Sequence, residues 1–333
     1  MSVELPAHLP PEQVPFPVES TYRIRPDLRK LEPGEQRFVL DRSLPHYRSR
    51  KLELLSSFPQ QCRVFNGTEE RLRCGLWRVA ELLASEHPEE CRLDGNVATF
   101  PRLGIRLDHG GELEELESSR DQGRASEIAE HLEALGSTAR LADALALAVQ
   151  EDLVLIAGPA GADSSSMLHV CFPSHWNPGQ RSGASFVELH EPVPHNERLI
   201  AGSRNLVSAM LTKGPFVRHV WSVTTSHQLD QNPARSHQPA PLPDRPLVDS
   251  LYFRAERQTT TALGGLALFT IRIYVSPLRG VLDPIRARLL GSAIRSMDAE
   301  LLRYKSLVEL KEPLLEELDA LAAASRGLPR VHP

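Results

Sequence analysis

Three β-rich segments follow one another in the C-terminal half of the chain, and they restrict its possible folds more than any other feature. Residues 216–224 form the first segment, and residues 251–260 and 266–275 form a pair that meets at Gly264-Gly265. Two glycines between β-rich segments are typical of a tight hairpin turn. The sequence therefore predicts an antiparallel sheet made of neighbouring strands.

Shorter β-rich segments precede these three, and helical patterns flank them. Residues 152–157 and 167–172 both end at prolines and are predicted to form a hairpin-like pair, while residues 97–108 alternate like strands. The segments with helical apolar spacing are 47–57, 68–86, 123–151 with a break near Gly136, 198–212 and 281–325. This order of elements predicts an α+β fold around an antiparallel sheet.

Proline-rich stretches set the predicted domain limits. Residues 1–36 are predicted to form an extended arm over the surface of the domain. Residues 37–325 are expected to form one domain, ending in the C-terminal helices of residues 281–325, and residues 326–333 a tail. The second stretch, residues 232–247, is predicted to be a long loop, and such loops in compact domains are often lids.

The composition argues against several classes of partner. The 333 residues carry a net charge of −5, so we expect no nucleic-acid or membrane-surface partner. No run approaches the length of about 18 apolar residues that a membrane span needs, and the N-terminus does not resemble a signal peptide. The four cysteines lack C-x-x-C spacing and are expected to be reduced thiols in the cytoplasm. No glycine-rich dinucleotide motif is present.

His190 precedes the sequence Pro-Val-Pro at residues 192–194. Prolines fix the backbone, and a fixed loop can direct an imidazole at a metal or a haem iron. The same pattern also fits a turn histidine that caps the next helix. His175, beside Trp176, and His195 supply further imidazoles nearby, but their spacing matches no standard zinc motif.

Polar residues dominate positions 254–258 of the second long strand. Alternation places Glu256 and Arg257 on opposite faces of that strand. Polar groups are costly when they are buried without partners. The strand is therefore either a solvated edge strand or the polar lining of a ligand cavity, and Glu256 could form an ion pair with Arg272. Two residues of the neighbouring strands that could join such a lining are Arg218 and Tyr274.

Several blocks of sequence carry a family resemblance when they are taken in order. These blocks are residues 151–155, Phe172-Pro173 with Trp176, Gly183, His190 with residues 192–194, residues 196–198, Arg218, Trp221, residues 256–259, residues 269–272 and Tyr274. Residues 41–51 and Tyr304-Lys305 also fit. Together they resemble the haem-dependent oxidative N-demethylase family, whose catalytic subunit is a haem-binding PAS-type domain.

The resemblance implies a PAS-like antiparallel sheet that holds haem b, with O₂ activated at the haem iron to oxidise an amine at its N-methyl group. It implies electrons from a separate reductase that carries FMN and a 2Fe–2S cluster and uses NAD(P)H. The implied haem contacts are His190 as the axial ligand, with His175, Trp176, Trp221 and Arg272 around the cofactor. The implied catalytic residues are Arg218, Glu256, Arg257 and Tyr274.

Some choices stay open within this resemblance. His175 and Cys171 are alternative axial ligands, and thiolate ligation would favour O–O cleavage more strongly than imidazole. Val220 replaces a polar residue of the family, and residues 260–265 replace its Arg-Leu-Pro-like turn. The substrate could therefore be a larger or less polar amine than dimethylamine, or the reaction could be another oxygenation. A PAS-type haem sensor without turnover is the alternative function, and a fold that has lost haem is a third. We expect the enzyme, because neither end carries a recognisable output domain.

Overall fold

The computed structural model describes residues 13–116, 123–157, 164–235 and 246–324. The strands are β1 (Arg29–Lys30), β2 (Arg63–Phe65), β3 (Arg92–Asp94), β4 (Val97–Phe100), β5 (Ile105–Asp108), β6 (Leu113–Glu115), β7 (Asp152–Ala157), β8 (Ser164–His169), β9 (Phe216–Thr224), β10 (Tyr252–Ala262) and β11 (Leu266–Pro277). All three long strands predicted from the sequence are present, and Gly264-Gly265 connects β10 to β11.

The helices surround these strands. They are α1 (Leu44–Ser57), α2 (Pro59–Cys62), α3 (Glu69–Glu86), α4 (Gly123–Glu133), α5 (Ser137–Ala148), α6 (Phe186–His190), α7 (Glu197–Ala201), α8 (Ser203–Thr212), α9 (Leu247–Ser250), α10 (Leu278–Val281), α11 (Pro284–Arg295), α12 (Ala299–Tyr304) and α13 (Lys311–Ala323). The helix predicted over residues 198–212 is two helices that meet at Gly202. Of the predicted loop at residues 232–247, positions 236–245 lie outside the described residues.

The main sheet has seven strands in the order β1-β9-β10-β11-β7-β8-β2, and every neighbouring pair is antiparallel. Strands β3 to β6 form a second, four-stranded antiparallel sheet. The predicted α+β fold around an antiparallel sheet is therefore confirmed, and the strand order is compatible with a PAS-like sheet. No helix in the described part of the chain is long and apolar enough to cross a membrane.

The predicted strand at residues 167–172 begins and ends three residues earlier than expected. It pairs with β7 through His169, after which the Asp152 carboxylate accepts the backbone N–H groups of Cys171 and Phe172, each at 2.9 Å. Because these two N–H groups bind a side chain, they are not available to continue the ladder. The chain therefore leaves the sheet at this point, ahead of the segment that leads to His190.

Helices cover both faces of the main sheet. On one face, Trp221, Phe253 and Tyr274 pack against residues of α11 and α13. The same face of β11 carries Leu268, which belongs to the core formed with α1, α3 and α5. On the opposite face, Ala267 packs with Val207 and Met210 of α8. Since side chains alternate between the faces of a strand, each side chain along β9 to β11 points to one of these two faces.

The N-terminal segment packs against the domain rather than lying loosely on it. The ring of Phe16 stacks on Phe253 with centroids 5.0 Å apart, and Val14 and Val18 are buried. Further along, β1 pairs with the edge of β9. The segment between these two attachments, residues 19–27, lies along β9, with Tyr22 against Trp221 and the Pro26 carbonyl accepting from Arg218. We call residues 13–28 the arm. The domain boundaries predicted at residues 36 and 325 stay predictions.

Candidate functional site

Helix α6 positions His190 as its last residue. The helix begins with a capping box, in which the Ser185 hydroxyl accepts the Glu188 N–H and the Glu188 carboxylate accepts the Ser185 N–H. The prolines at 192 and 194 follow within one turn, so the helix cannot continue far. The Asn196 side chain donates to the His190 carbonyl at 2.9 Å. Hydrogen bonds made by residues before and after His190 thus stabilise this short helix.

The His190 ring has one nitrogen engaged. Nδ1 lies 2.8 Å from the Phe186 carbonyl oxygen, which can only accept, so Nδ1 carries the proton and donates it. The ring also stacks on the Phe186 ring, with centroids 4.1 Å apart. Burial lowers the pKa of His190, and the positive charge of Arg218 lowers it further. A neutral imidazole whose Nε2 keeps its lone pair is the form that ligates metal ions.

His190 lines a pocket that is open to solvent at one side. The arm from Pro17 to Asp27 forms one wall and His190, Val193 and Leu199 form another. The space between the walls is about 850 Å³ when its open mouth is included. The remaining wall consists of β9 and the end of α12, through Arg218, His219, Val220, Trp221, Tyr304 and Lys305.

Two cationic side chains enter this pocket, one from β9 and one from the end of α12. Arg218 Nη1 donates to the Pro26 carbonyl at 3.4 Å, and Lys305 Nζ donates to the Trp221 carbonyl at 2.8 Å. Burial lowers the pKa of each group. Among the described residues, no carboxylate lies within 4.0 Å of either cation, although Glu256 is near enough to interact electrostatically with both.

Glu256 is held by polar neighbours on the same face of β10. Its carboxylate accepts hydrogen bonds from the Ser174 hydroxyl and from Gln258 Nε2, the latter at 2.8 Å. Arg254, on the same face, donates to the Ser174 hydroxyl at 2.9 Å and to the Phe172 carbonyl at 2.9 Å. The alternation predicted from the sequence is correct, and Val220 lies directly opposite Glu256 on β9.

Aromatic rings form the apolar part of the pocket. Tyr22 of the arm meets the Trp221 ring edge to face, with centroids 5.4 Å apart, and Lys305 Nζ lies 5.2 Å from the centre of the Tyr22 ring. Such cation–π contacts stabilise a partly desolvated ammonium. Burial raises the pKa of Tyr22 to about 12, so its hydroxyl stays protonated at neutral pH.

Arg257, Arg272 and Tyr274 were expected at the site, but they lie on the other face of the sheet from Glu256. Arg257 donates to the carbonyls of Gln36 and Arg37, at 2.7 and 3.2 Å. Arg272 pairs with Asp41 at 2.7 Å and lies between the rings of Tyr47 and Tyr274. Tyr274 belongs to the core under the C-terminal helices.

Two expectations about β10 were wrong. The ion pair between Glu256 and Arg272 does not form, because Arg272 is directly opposite Arg257 and so shares the face of Arg257. The solvated edge strand is also wrong, because β10 lies between β9 and β11 and Arg254 is 1 % exposed. The polar side chains at positions 254, 256, 257 and 258 of β10 therefore have protein partners within an interior strand.

The other candidate ligands lie away from His190. His175 is exposed and adopts a φ of 62°, while Trp176 packs at the apolar cluster around Val154 and Leu168. His195 binds Asp298 at 2.7 Å on the surface. No group of three or more His, Cys, Asp or Glu side chains within the described ranges is arranged to hold a metal ion.

Cys171 is fully buried, and it does not line the pocket. Burial and the neighbouring Cys62 thiol raise its pKa well above the usual range, so it is a thiol rather than a thiolate. A thiolate is the ligand form of cysteine. The geometry thus favours His190 over both alternative ligands, His175 and Cys171, as the group available in the pocket.

Sequence reasoning missed the contributions of the two ends of the chain. The arm was expected only to cover the surface, and Lys305 was noted without a role, yet both form walls of the pocket. The one sequence signal for Tyr22 is its place in a proline-bounded segment, between Pro17 and Pro26. A segment restrained by prolines keeps a side chain in a fixed position at small entropic cost.

The pocket thus combines a neutral histidine, two cations with no carboxylate within 4.0 Å among the described residues, and aromatic walls, a lining typical of cofactor- and ligand-binding α+β proteins. A family model described as haem-dependent oxidative N-demethylase, alpha subunit-like, matches residues 28–315. Because the match covers most of the chain, the protein belongs to this family. No curated protein sequence matches the chain.

The residues of the pocket fit the haem that this family description names. His190 presents an unprotonated Nε2 oriented by a carbonyl, as histidines that ligate metals usually do. Its lining also contains the cations Arg218 and Lys305 and the aromatic rings of Tyr22 and Trp221, a mixture of charge and apolar surface that suits a cofactor with both. The family description also names an alpha subunit, which indicates a partner subunit or electron donor.

Proposed function

We propose that the protein is a haem-dependent monooxygenase that removes an N-methyl group from an amine by oxidation. In the overall reaction, an N-methyl amine, O₂, two electrons and two protons give the demethylated amine, formaldehyde and water. The observation that carries this proposal is the His190 imidazole, neutral and oriented by the Phe186 carbonyl in a pocket shared with Arg218. The family match to oxidative N-demethylases supports the reaction class.

His190 would hold the haem iron through Nε2, and haem b would supply oxygen activation when bound. The Phe186 carbonyl fixes the orientation and tautomer of the ring, which raises the basicity of the ligand. Arg218 extends its guanidinium into the same pocket, where one of its N–H groups donates to the Pro26 carbonyl at 3.4 Å. Its free N–H groups can donate to an oxygen atom or to a carboxylate.

Glu256 is the group that we propose to attract the substrate amine. An ammonium and a carboxylate attract each other strongly in a partly desolvated pocket. Ser174 and Gln258 hold the carboxylate in one orientation, so little reorganisation is needed when an amine binds. Val220 lies directly opposite Glu256 and gives this part of the wall an apolar surface, which favours an amine with more apolar bulk than dimethylamine.

The remaining predicted residues have supporting roles in this proposal. Trp221 and Tyr22 exclude water from the inner end of the pocket through their edge-to-face contact. Arg257, Arg272 and Tyr274 tie the sheet to the segment that follows the arm and to the C-terminal helices. His175 and Trp176 position the segment of Ser174, since the His175 N–H donates to the Gln231 carbonyl at 3.1 Å.

We propose that the electrons come from a separate reductase with FMN, a 2Fe–2S cluster and NAD(P)H. The absence of dinucleotide and C-x-x-C motifs from this sequence agrees with such a division of work. A cytoplasmic location is also proposed, and the four cysteines are free thiols. The proposed partners are thus the amine, O₂ and the reductase, with no nucleic acid or membrane.

The test combines a spectrum with a product assay. Protein purified from cells supplied with a haem precursor should show a Soret band, and the variant His190→Ala should lose it. His195→Ala is the matched control, because His195 binds Asp298 outside the pocket, and this variant should keep the band. The haem-loaded protein, given a surrogate reductant, should release formaldehyde from some member of a panel of N-methyl amines. A Soret band without formaldehyde from any amine would favour a sensor.

A further inference from the structure

Arg218 and Lys305 are cations without an ionic partner in the described part of the chain. The ammonium of Lys305 uses one donor for the Trp221 carbonyl, and the guanidinium of Arg218 uses one for the Pro26 carbonyl. An ammonium has three donors and a guanidinium has five. Desolvated charges are costly unless a group of opposite charge pairs with them. Both cations therefore retain N–H groups that could donate hydrogen bonds to an anion.

The carboxylates around the pocket are already engaged elsewhere. Glu19 and Asp27, at the rim, both pair with Arg25, at 2.8 and 2.5 Å. Glu256, which lies near the pocket without lining it, accepts from Ser174 and Gln258. Arg23 is the remaining charged lining residue. Counting these groups with Arg218 and Lys305 leaves one positive charge in excess. The pocket is therefore complementary to a ligand group with one negative charge.

We propose that Arg218 and Lys305 together form a binding site for a single carboxylate group. This goes beyond the oxygen chemistry of the proposed function and rests on it only for the identity of the molecule that carries the carboxylate. That molecule is either haem, through a propionate, or an amine substrate with its own carboxylate, such as an N-methyl amino acid. Charge-assisted hydrogen bonds to two cations give a carboxylate an advantage over a neutral group of the same shape.

Tyr22 and Trp221 hold Lys305 in place for this role. The Trp221 carbonyl accepts one of the ammonium protons, and the Tyr22 ring lies beneath the ammonium at 5.2 Å from its centre. The two remaining protons are free to point at a ligand. Because Pro26 and Tyr22 both belong to the arm, the arm contacts both cations of the site.

The first experiment tests haem as the source of the carboxylate. Apoprotein is titrated with haem and with haem dimethyl ester, whose propionates are neutral, for the wild type and for Arg218→Gln and Lys305→Met. If a propionate occupies the site, the wild type prefers haem about 10-fold or more, and each variant reduces that preference. Arg204→Gln and Lys213→Met, exposed on and just after α8, are matched controls that should keep it.

The second experiment tests the substrate as the source. N-methylglycine and its neutral amide are titrated into the apoprotein by calorimetry and into the haem-loaded protein by difference spectroscopy. If a substrate carboxylate occupies the site, the acid binds about 10-fold or more tightly than the amide, and Arg218→Gln and Lys305→Met reduce that ratio while haem affinity is unchanged. The apoprotein arm remains informative even if the haem-based function is wrong.

The proposal is overturned if both preferences are absent from the wild type, or if both survive in the two variants. Arg218→Lys and Lys305→Arg keep the positive charges and should retain most of the preference, which separates a loss of charge from a loss of folding. If these charge-conserving variants lose the preference as fully as Arg218→Gln and Lys305→Met while the fold is intact by circular dichroism, a carboxylate site based on charge is also overturned.

Discussion

The imidazole of His190 donates its Nδ1 proton to the carbonyl of Phe186, four residues earlier, across 2.8 Å. This bond fixes which nitrogen faces the pocket, and it depends on α6 being helical, because the donor and the acceptor lie one turn apart. The helix has only five residues and relies on its capping box. The chemistry proposed for the histidine therefore depends on a few local hydrogen bonds.

We expect Ser185→Ala to loosen haem binding by unfolding the first turn of α6. Loss of an N-cap costs about 0.5–2 kcal/mol, and here much of that cost falls on the helix that orients His190. The measurement is the rate of haem transfer to an acceptor protein such as apomyoglobin. Thr68→Ala, which removes the N-cap of α3, is the control that should lower stability without faster haem transfer. Equal transfer rates in the two variants would contradict this account.

Glu256 and Arg257 are neighbours in sequence on opposite faces of β10, so they form a matched pair for mutation. We expect Glu256→Gln to weaken amine binding, seen as a higher KM, while the free energy of unfolding changes little. We expect Arg257→Gln to lower the free energy of unfolding by about 1–3 kcal/mol, because the carbonyls of Gln36 and Arg37 lose their partner. Urea titrations and steady-state kinetics on both variants check this. The reverse pattern would mean that the faces are misassigned.

Asp143 is a buried carboxylate that joins three cationic or imidazole groups. It pairs with Arg63 and accepts from His131 and His169 at 2.8 and 2.9 Å. Burial acts to raise its pKa, but these hydrogen bonds and the nearby charges outweigh burial and lower it. We expect Asp143→Asn to cost about 3–5 kcal/mol in urea unfolding, because it leaves buried partners uncompensated.

The control for Asp143 is Asp319→Asn, which breaks the exposed pair between Asp319 and Arg295. Exposed ion pairs contribute about 0–1 kcal/mol, so this variant should unfold nearly as the wild type does. Similar losses in both variants would argue against a special role for the buried network. The carboxylate of Asp143 should also make stability fall at acid pH, as protonation removes the charge that its partners bind.

His219 gives a second pH dependence with a defined range. Burial lowers its pKa from 6.5 to about 4, with help from the charge of Arg257. Between those two values the unfolded chain binds a proton that the native protein does not, so stability falls as the pH drops through that range. We expect His219→Gln to flatten this part of the curve of apoprotein melting temperature against pH. Parallel curves for variant and wild type would show that His219 keeps an ordinary pKa.

Local patterns were sufficient to predict the three long strands of the main sheet, but not its short edge strands β1 and β2. The strand of residues 216–224 was predicted with the bounds that it has, and the glycine pair between β10 and β11 marked the hairpin. Alternation also separated Glu256 from Arg257, since it depends only on the backbone. Together with the hairpin pairing of β10 and β11, this alternation implies that Arg272 lies opposite Arg257. The placement of Arg257 and Arg272 at the site came from family resemblance and not from this pattern.

The pocket was less predictable because its walls are distant in sequence. His190 and Arg218, predicted as partners, do line one pocket, and their roles stay predictions. The arm and Lys305 join them through contacts such as that of Tyr22 with Trp221, which no period of two or 3.6 residues encodes. The end of β8 was also predicted wrongly, because the Asp152 carboxylate takes the place of the strand partners expected for the backbone N–H groups of Cys171 and Phe172.

The span of the pocket, from Pro17 to Lys305, sets the time in biosynthesis at which it can first exist. While the chain is being made, the sheet strands emerge before α12, so the early intermediates lack the part of the wall that Tyr304 and Lys305 supply. A ligand that needs both Arg218 and Lys305 can therefore be captured only after α12 has been synthesised and docked. Its binding energy then stabilises the two ends of the chain together, as a late step of maturation.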